Sequence, residues 1–298
     1  MSPRVLCIGE CMAELSADGA GGYRLGFGGD TLNTALYMTR LLGPGVVGYV
    51  TRLGDDPYSA RMIADWAAEG IDCALVETVQ DRECGFYAID TDDAGERSFT
   101  YWRGAAPARE LFTEGDWRAR ISAVEAAEMN YYSGITLAVL PDEGRARLIE
   151  AAGAAKARGG AVAVDPNFRP RLWPAEEAGA WMGRAYGAAT IALTSDEEEA
   201  ALSPGQACPE MVLKAGDRGA EINGQAIVGE PVAVPVDTTG AGDAFDAAYQ
   251  AARLRGLPPV DAARWGCRLG ARVVAHRGAI IPRAAMEDLI AEFADAHE

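Results

Sequence analysis

What most constrains this chain is an alternation. Short apolar runs that read as buried strands are followed, repeatedly, by longer segments in which apolar residues recur at helical spacing. Residues 4–9 (Arg-Val-Leu-Cys-Ile-Gly) open the series, and within 31–42 the residues Leu32, Ala35, Leu36 and Leu42 carry the helical period. Residues 46–50 read as the next strand and 57–68 as the next helix. Residues 129–133, 142–158, 161–165, 175–187 and 190–194 then alternate in the same way. A short helix at 197–201, a strand at 211–215, two extended runs around 221–227 and two long helices, 241–255 and 260–276, complete the chain. Strands joined by helices of this length pair in parallel, with the helices laid over the faces of the sheet. The expectation is an α/β fold: three α/β/α layers around a mostly parallel sheet, with ligands beyond the carboxyl ends of its strands. No repeat or low-complexity linker interrupts the 298 residues, so one domain over 1–298 is expected.

Two stretches break the rhythm. Residues 84–90 and 97–102 are extended runs joined by a polar loop, 91–96, with the composition of a hairpin. Residues 10–25 have little periodicity and carry the turn markers Asp18-Gly19 and Gly21-Gly22, as a short hairpin off the main sheet would.

The chemistry concentrates at 236–245, Val-Asp-Thr-Thr-Gly-Ala-Gly-Asp-Ala-Phe. An extended segment at 231–236, read as a strand, leads into two glycines and then an apolar helix. The first turn of a helix has N–H groups without intrahelical partners and about half a positive charge from the macrodipole, and Gly240 and Gly242 let that backbone approach a phosphate. Asp243 would repel a phosphate, so it is read as the acceptor of a proton from a hydroxyl held there. The plainer alternative is that Asp237 caps the turn and Asp243 is an ordinary first-turn acid. The segment lacks the third glycine of the dinucleotide fingerprint, and no Gly-x4-Gly-Lys-Ser/Thr occurs in the chain.

Asp237-Thr238-Thr239-Gly240-Ala241-Gly242-Asp243 resembles the carboxy-terminal signature of the ribokinase-like (PfkB) carbohydrate kinases, and Gly28-Gly29-Asp30-Thr31-Leu32-Asn33-Thr34-Ala35 resembles their amino-terminal glycine motif. The resemblance implies a kinase that uses ATP and Mg2+, with Asp243 as base and Gly240, Ala241 and Gly242 donating N–H groups to the transferred phosphoryl group. Because that transfer has a loose transition state, a carboxylate of near-normal pKa is expected to serve. On the nucleotide side it implies Ser195, Thr238 and the turn formed by Lys214, Gly216 and Gly219. The family's Asn-x-x-Glu appears here as Ser195-Asp196-Glu197-Glu198, without the asparagine, and Glu198 is expected to position Mg2+ through water. A solvated acidic first turn is the competing reading of Glu198. Only about nine residues separate 201 from the strand at 211, where relatives carry a helix. The two irregular stretches, 10–27 and 84–103, become strands of a small β-sheet lid over the sugar.

Asp30 and Asn33, three apart at a helix start, can both point at sugar hydroxyls, and helix capping is the alternative for Asp30. Tyr101-Trp102-Arg103 and Asp165-Pro166-Asn167-Phe168-Arg169 set arginines beside aromatic residues just past strands, and an arginine matches a carboxylate where a neutral hexose offers it nothing. These phrases, with Gly9-Glu10-Cys11-Met12 and Arg277-Gly278-Ala279-Ile280-Ile281-Pro282, are similar to the 2-keto-3-deoxygluconate kinases of the family. That implies a sugar-acid substrate bound by Gly29, Asp30, Asn33, Tyr87, Tyr101, Arg103 and Arg169. Another sugar kinase, a fructokinase or ribokinase, and a silent sugar- or nucleotide-binding regulator are the alternatives.

Composition narrows the partners. A net charge of −17 argues against nucleic acid or an anionic membrane. The six cysteines form no Cys-x2-Cys pair and only two histidines occur, so neither a zinc site nor a disulfide framework is expected. With no signal peptide and no long apolar run, the expected compartment is the cytoplasm. An exposed lid sheet would offer a second copy a surface for a homodimer.

Overall fold

The computed structural model describes residues 3–17, 21–91, 97–203 and 208–296. Strand β1 (Val5–Ile8) is wholly buried and pairs in parallel with β4 (Val47–Gly54) on one side and β8 (Met129–Ser133) on the other. Its four residues, Val-Leu-Cys-Ile, carry no polar side chain, as burial on both faces demands. From β8 the parallel sheet continues through β9 (Ala161–Asp165), β10 (Ile191–Thr194) and β11 (Glu210–Lys214). Two antiparallel strands, β12 (Gly219–Ile222) and β13 (Gln225–Val228), finish one edge, and β5 (Val76–Val79) finishes the other. The order across the nine strands is β13-β12-β11-β10-β9-β8-β1-β4-β5.

Two apolar clusters cover the two faces. One packs α1 (Asp30–Leu42), α8 (Ala241–Leu254), α9 (Pro259–Val274) and α10 (Glu287–Asp295) against β1, β4 and β8 through residues such as Tyr37, Tyr249 and Phe293. The other packs α3 (Trp117–Ala126), α5 (Asp142–Ala157) and α6 (Ala175–Ala188) on the opposite face through Leu148, Met182 and Tyr186. Helix α2 (Pro57–Glu69) joins the first cluster through Met62 and Trp66, and the short α4 (Gly134–Val139) and α7 (Asp196–Leu202) join the second through Leu137 and Leu202. No helix among the described residues is long and apolar enough to cross a membrane.

The lid is a separate sheet of four strands in the order β3-β2-β6-β7. It joins β2 (Met12–Ala17) to β3 (Tyr23–Gly28) and β6 (Gly85–Thr91) to β7 (Arg97–Trp102) as two antiparallel pairs, linked by parallel pairing of β2 with β6. The expected hairpin loop at 91–96 falls almost wholly outside the described residues, as does 204–207 of the short connection between α7 and β11.

One expectation is corrected here. Residues 231–236 are not a strand; they cross the surface as irregular chain, with Val234 and Val236 largely exposed. Pro231 and Pro235 have no N–H for a ladder. The segment is fastened instead to the end of α9, where Val236 N–H and Asp237 N–H both donate to the Val274 carbonyl.

Candidate active site

The carboxyl ends of the central strands form one layer. Ser133 is in register with Asp165, and Thr194 with Leu213, so that Gly9, Ser133, Asp165, Thr194 and Lys214 all reach the same edge of the sheet. The N-termini of α1 and α8 meet above it.

At α8 the turn is built by Asp237 and two close approaches. The Asp237 carboxylate accepts from Thr239 N–H (3.0 Å), the Thr239 hydroxyl (2.7 Å) and Gly278 N–H (3.0 Å), which ties the turn to the loop after α9. Gly240 has φ +75°, and a Cβ there would lie 2.7 Å from the Ala279 backbone, so no other residue fits without moving that loop. Tyr37 of α1 holds the same loop by donating to Ala279 O (2.7 Å) and accepting from Ile281 N–H (3.0 Å). Ala241 N–H is used by Thr238 O, whereas no acceptor in the described residues meets the N–H of Gly242 or Asp243. No side chain caps α8. The turn therefore presents free donors on an open face, a fit for the phosphate of a nucleotide.

Asp243 is half-buried at this turn. Asn33 of α1 donates to its Oδ2 (2.8 Å), and the Thr34 hydroxyl donates to its backbone carbonyl (3.2 Å). Burial first, and then the neighbouring Asp30 and Asp165 carboxylates, push its pKa up to about 7, against the opposing pulls of Asn33 and Lys214. A near-normal carboxylate would have sufficed for a loose transition state; here the Asp243 pKa is raised instead toward neutrality, where a base accepts a proton most usefully.

Across from the turn lies the lid side. Gly29 begins α1 without a side-chain cap, and a Cβ on it would collide with the Glu10 carbonyl, which explains a glycine there at an ordinary extended φ. Asp30 is not capping the helix. Its Oδ2 accepts from Asn167 Nδ2 (2.9 Å), and Asn167, in a left-handed conformation at φ +36°, donates its own N–H to Asp165 Oδ1 (2.9 Å). Tyr87 and Tyr101 stack face to face at 5.9 Å, and the Tyr87 hydroxyl donates to Glu14 of β2. Arg103 is buried and paired with buried Glu10, with its guanidinium 5.9 Å from the Tyr101 ring centre. Burial raises the Glu10 pKa, with Arg103 opposing. The atoms Glu10 Oε1, Arg103 Nε and Asn33 Oδ1 are buried without partners. Three such atoms around one site are what a polar ligand would satisfy. Arg169 is exposed and pairs with nothing among the described residues.

The remaining sites fall into two places. Gly216 (φ +62°) and Gly219 (φ +103°) make the left-handed turn after β11, and Thr238 is exposed. Ser195 caps α7, accepting from Glu198 N–H (3.3 Å) and donating to Glu198 Oε2 (3.0 Å), so serine does the capping work of the missing asparagine. Glu198 Oε1 accepts from Phe168 N–H (2.9 Å), and burial followed by Asp165 raises its pKa. Both its oxygens are engaged, and no three Asp, Glu, His or Cys residues come together as direct metal ligands among the described residues. The Lys214 side chain turns inward, to Asp165 Oδ2 (2.9 Å) and to Asp246 Oδ1 and Oδ2 (3.1 and 3.2 Å).

Sequence reasoning missed Glu10, Glu14, Asn167 and Asp246 as members of the site. Glu10 and Asn167 stand inside phrases singled out for other reasons. Asp246, three residues past Asp243 on α8, could have been found from helical spacing alone.

A family model described as pfkB family carbohydrate kinase matches residues 2–286. The 2-dehydro-3-deoxygluconokinase of Escherichia coli K12 is 41% identical over 313 aligned positions, covering 96% of this chain and 99% of that protein. Among solved structures, the PfkB protein from Polaromonas sp. JS666 superposes with a TM-score of 0.81 at 26% identity, over 96% of this chain and 99% of that one. The fructokinase of Vibrio cholerae O395, solved with fructose, ADP and a calcium ion, gives 0.78 at 26% identity over 98% of both chains.

Proposed function

The chain belongs to the pfkB family of carbohydrate kinases, and from that premise we propose that it phosphorylates the terminal hydroxyl of 2-keto-3-deoxygluconate with ATP. The observation that carries the reaction type is Asp243: a carboxylate titrating near pH 7 beside free N–H donors, with Oδ2 held by Asn33 and Oδ1 left open. Oδ1 takes the proton of the sugar hydroxyl as the hydroxyl oxygen bonds to the γ-phosphorus of ATP and the bond from that phosphorus to the bridging oxygen breaks, releasing ADP. Gly242 N–H and Asp243 N–H donate to the transferring phosphoryl oxygens, whose charge they stabilise without reorganising. Asn33 fixes the carboxylate's direction and Asp30, held by Asn167, accepts a second sugar hydroxyl, with Gly29 letting the sugar approach the α1 backbone.

The nucleotide would lie along Ser195, Gly216, Gly219 and Thr238. Mg2+ bound to its phosphates supplies charge neutralisation. Glu198, with both oxygens already accepting, suits a cation reached through water rather than a direct bond.

The acid end of the substrate is assigned to Arg169 and Arg103. Arg169 brings a guanidinium with no partner of its own among the described residues; Arg103 keeps a buried Nε free although Glu10 balances its charge. Tyr87 and Tyr101 form the apolar wall beside them. Release of ADP, followed over 2-keto-3-deoxygluconate, gluconate, fructose and ribose, tests this reading. Turnover is expected with the keto-deoxy acid; a preference for fructose or ribose gives the case to another sugar kinase, and no ADP release with any sugar to a silent binder. The exposed aromatic residues Tyr23 and Trp102 on the lid support pairing with a second copy, which light scattering on Trp102→Glu would detect as a loss of dimer.

A further inference from the structure

We infer that the Lys214 ammonium touches the phosphoryl group being transferred, and that Asp165 and Asp246 are the positioning residues that hold it there. The inference rests on the reading of the chain as a kinase and adds a catalytic residue that the glycine turn alone does not supply.

The geometry is specific. Lys214 ends β11 at the carboxyl edge of the sheet, and its Nζ lies beneath the first turn of α8. Leaving aside its chain neighbours and α8's own backbone, Nζ is the one heavy atom among the described residues within 4 Å of where a Gly242 Cβ would sit, at 3.8 Å. The open face of Gly242 therefore looks onto a positive charge. An ammonium has three donors. One goes to Asp165 and one to the two oxygens of Asp246, which leaves a third for a ligand oxygen. Asp246 is fixed in turn by the Tyr131 hydroxyl (3.1 Å), so the anchor beneath Nζ is rigid.

The choice of residue points the same way. Of the 27 lysines and arginines in the chain, only Lys156 and Lys214 are lysines. Lys156 is spent on two carbonyls, Gly187 O and Ala189 O. Elsewhere this protein pairs its carboxylates with arginine, as at Arg52, Arg120 and Arg145. A planar fork laid across two carboxylates would turn its remaining edges sideways; a compact point charge can satisfy both and still face a third anion. The surroundings require such a charge, because Asp30, Asp165, Asp243, Asp246 and Glu198 all bear on this edge of the sheet and would otherwise repel a nucleotide.

The test separates contact with the terminal phosphate from support of the fold. For wild type and Lys214→Met, calorimetry measures the affinities for ATP and for ADP, each with Mg2+ and without sugar, alongside the thermal midpoint and single-turnover rate. Should Lys214→Met fail to fold because two carboxylates lose their counter-charge, the double variant Lys214→Met/Asp246→Asn is measured instead. The expected result is a loss of roughly 10- to 150-fold in ATP affinity, the size of one charge-assisted contact, with ADP affinity changed less than about threefold and a slower single turnover. A folded variant that binds ATP and ADP as wild type does, or that loses both equally, overturns the inference. If wild type phosphorylates no sugar at all, the proposed function fails. The ATP-to-ADP comparison still decides the contact.

Discussion

Helices α2 and α8 are of similar length and begin in opposite ways. At α2 the Asp56 carboxylate accepts from Tyr58 N–H (2.9 Å), Ser59 N–H (3.0 Å) and the Ser59 hydroxyl (2.5 Å), and reaches across to Cys84 N–H (3.0 Å). Pro57 removes one further donor at the first position. At α8 a glycine stands in the capping position, and the N–H groups of Gly242 and Asp243 meet no acceptor among the described residues. One terminus is closed to complete the protein, the other left open for a ligand. The same division separates two arginines: Arg103 is held by Glu10, while Arg169 is unpaired among the described residues. Unfinished polar groups on a finished scaffold mark where function sits, and each prediction below closes an open group or opens a closed one.

The largest effect should come from Asp243→Asn, which keeps the shape of the open terminus and removes its base. The loss in kcat is expected to be roughly 10²- to 10⁴-fold. More than a tenth of wild-type kcat in the variant would end the assignment. In wild type, Asp243 must be ionised to act, so kcat/KM should fall as pH drops below about 7. Stability runs the other way. The folded-state pKa lies above the unfolded value of about 3.9, so wild type gives up stability as pH rises from there through 7. Asp243→Asn should therefore melt no lower than wild type at pH 8 and lose the acid limb of the rate profile.

Gly242→Val comes next, filling the open face. A Cβ there meets no backbone, so the chain should fold, yet a branched side chain would stand where the phosphate approaches. Losing access to such donors costs roughly 10²- to 10³-fold in kcat. Unchanged kcat with unchanged KM for ATP would remove the anion-binding role. The contrast with Gly240 sharpens the point, because Gly240→Ala must both adopt φ +75° and displace Ala279, and should lower the melting temperature as well as the rate.

For the arginines the expected loss is smaller, about 10- to 150-fold in kcat/KM for the sugar acid on Arg169→Ala, with little change for a neutral sugar. Arg169→Lys should recover only part, since a point charge cannot reproduce the two-bond fork. Arg103→Ala should lose stability as well, because it leaves Glu10 buried and unpaired. Equal losses on acidic and neutral substrates would withdraw the carboxylate from these residues.

Much of this was legible in the chain because period and turn chemistry agree: β8 and β9 fall where their apolar runs end, and the lid hairpins lie between their glycines and aspartates. What escaped reading was apolar burial done by polar residues. Strand β4 runs on through Thr51 and Arg52 to Gly54 because Arg52 is buried against Glu77 (3.1 Å) and Glu110 (3.0 Å). Helix α3 was invisible because its inner face includes Arg120, which donates to Leu111 O (2.8 Å) and Glu114 O (2.7 Å). In the site, Asp243 and its glycines were read from one contiguous motif, whereas Asp165 and Asn167 at and just past the end of β9, Lys214 of β11 and Asp246 of α8 come together only when three separate stretches converge. Spacing along one segment cannot show that meeting.

The smallest effect tests the closed end. Asp56→Ala should leave kcat and KM unchanged, since Asp56 touches no group assigned to the reaction, and should cost about 0.5 to 2 kcal/mol of stability, the usual worth of an N-cap. In a chain of this size each kcal/mol moves the melting temperature by about 2–4 °C. Burial works to raise the Asp56 pKa, but the hydrogen bonds from Ser59, Cys84 and Tyr58 outweigh it and hold the carboxyl below its ordinary value. With the folded pKa depressed, this stabilisation is present above the unfolded value of about 3.9 and disappears as pH falls through the folded one. The melting difference between wild type and Asp56→Ala, measured from pH 7 downward, should therefore narrow only in the acid range, where Asp243 has already been neutralised. A difference that closed near pH 7, or a change in KM for either substrate, would show that the two helix termini are not the separate devices their caps make them.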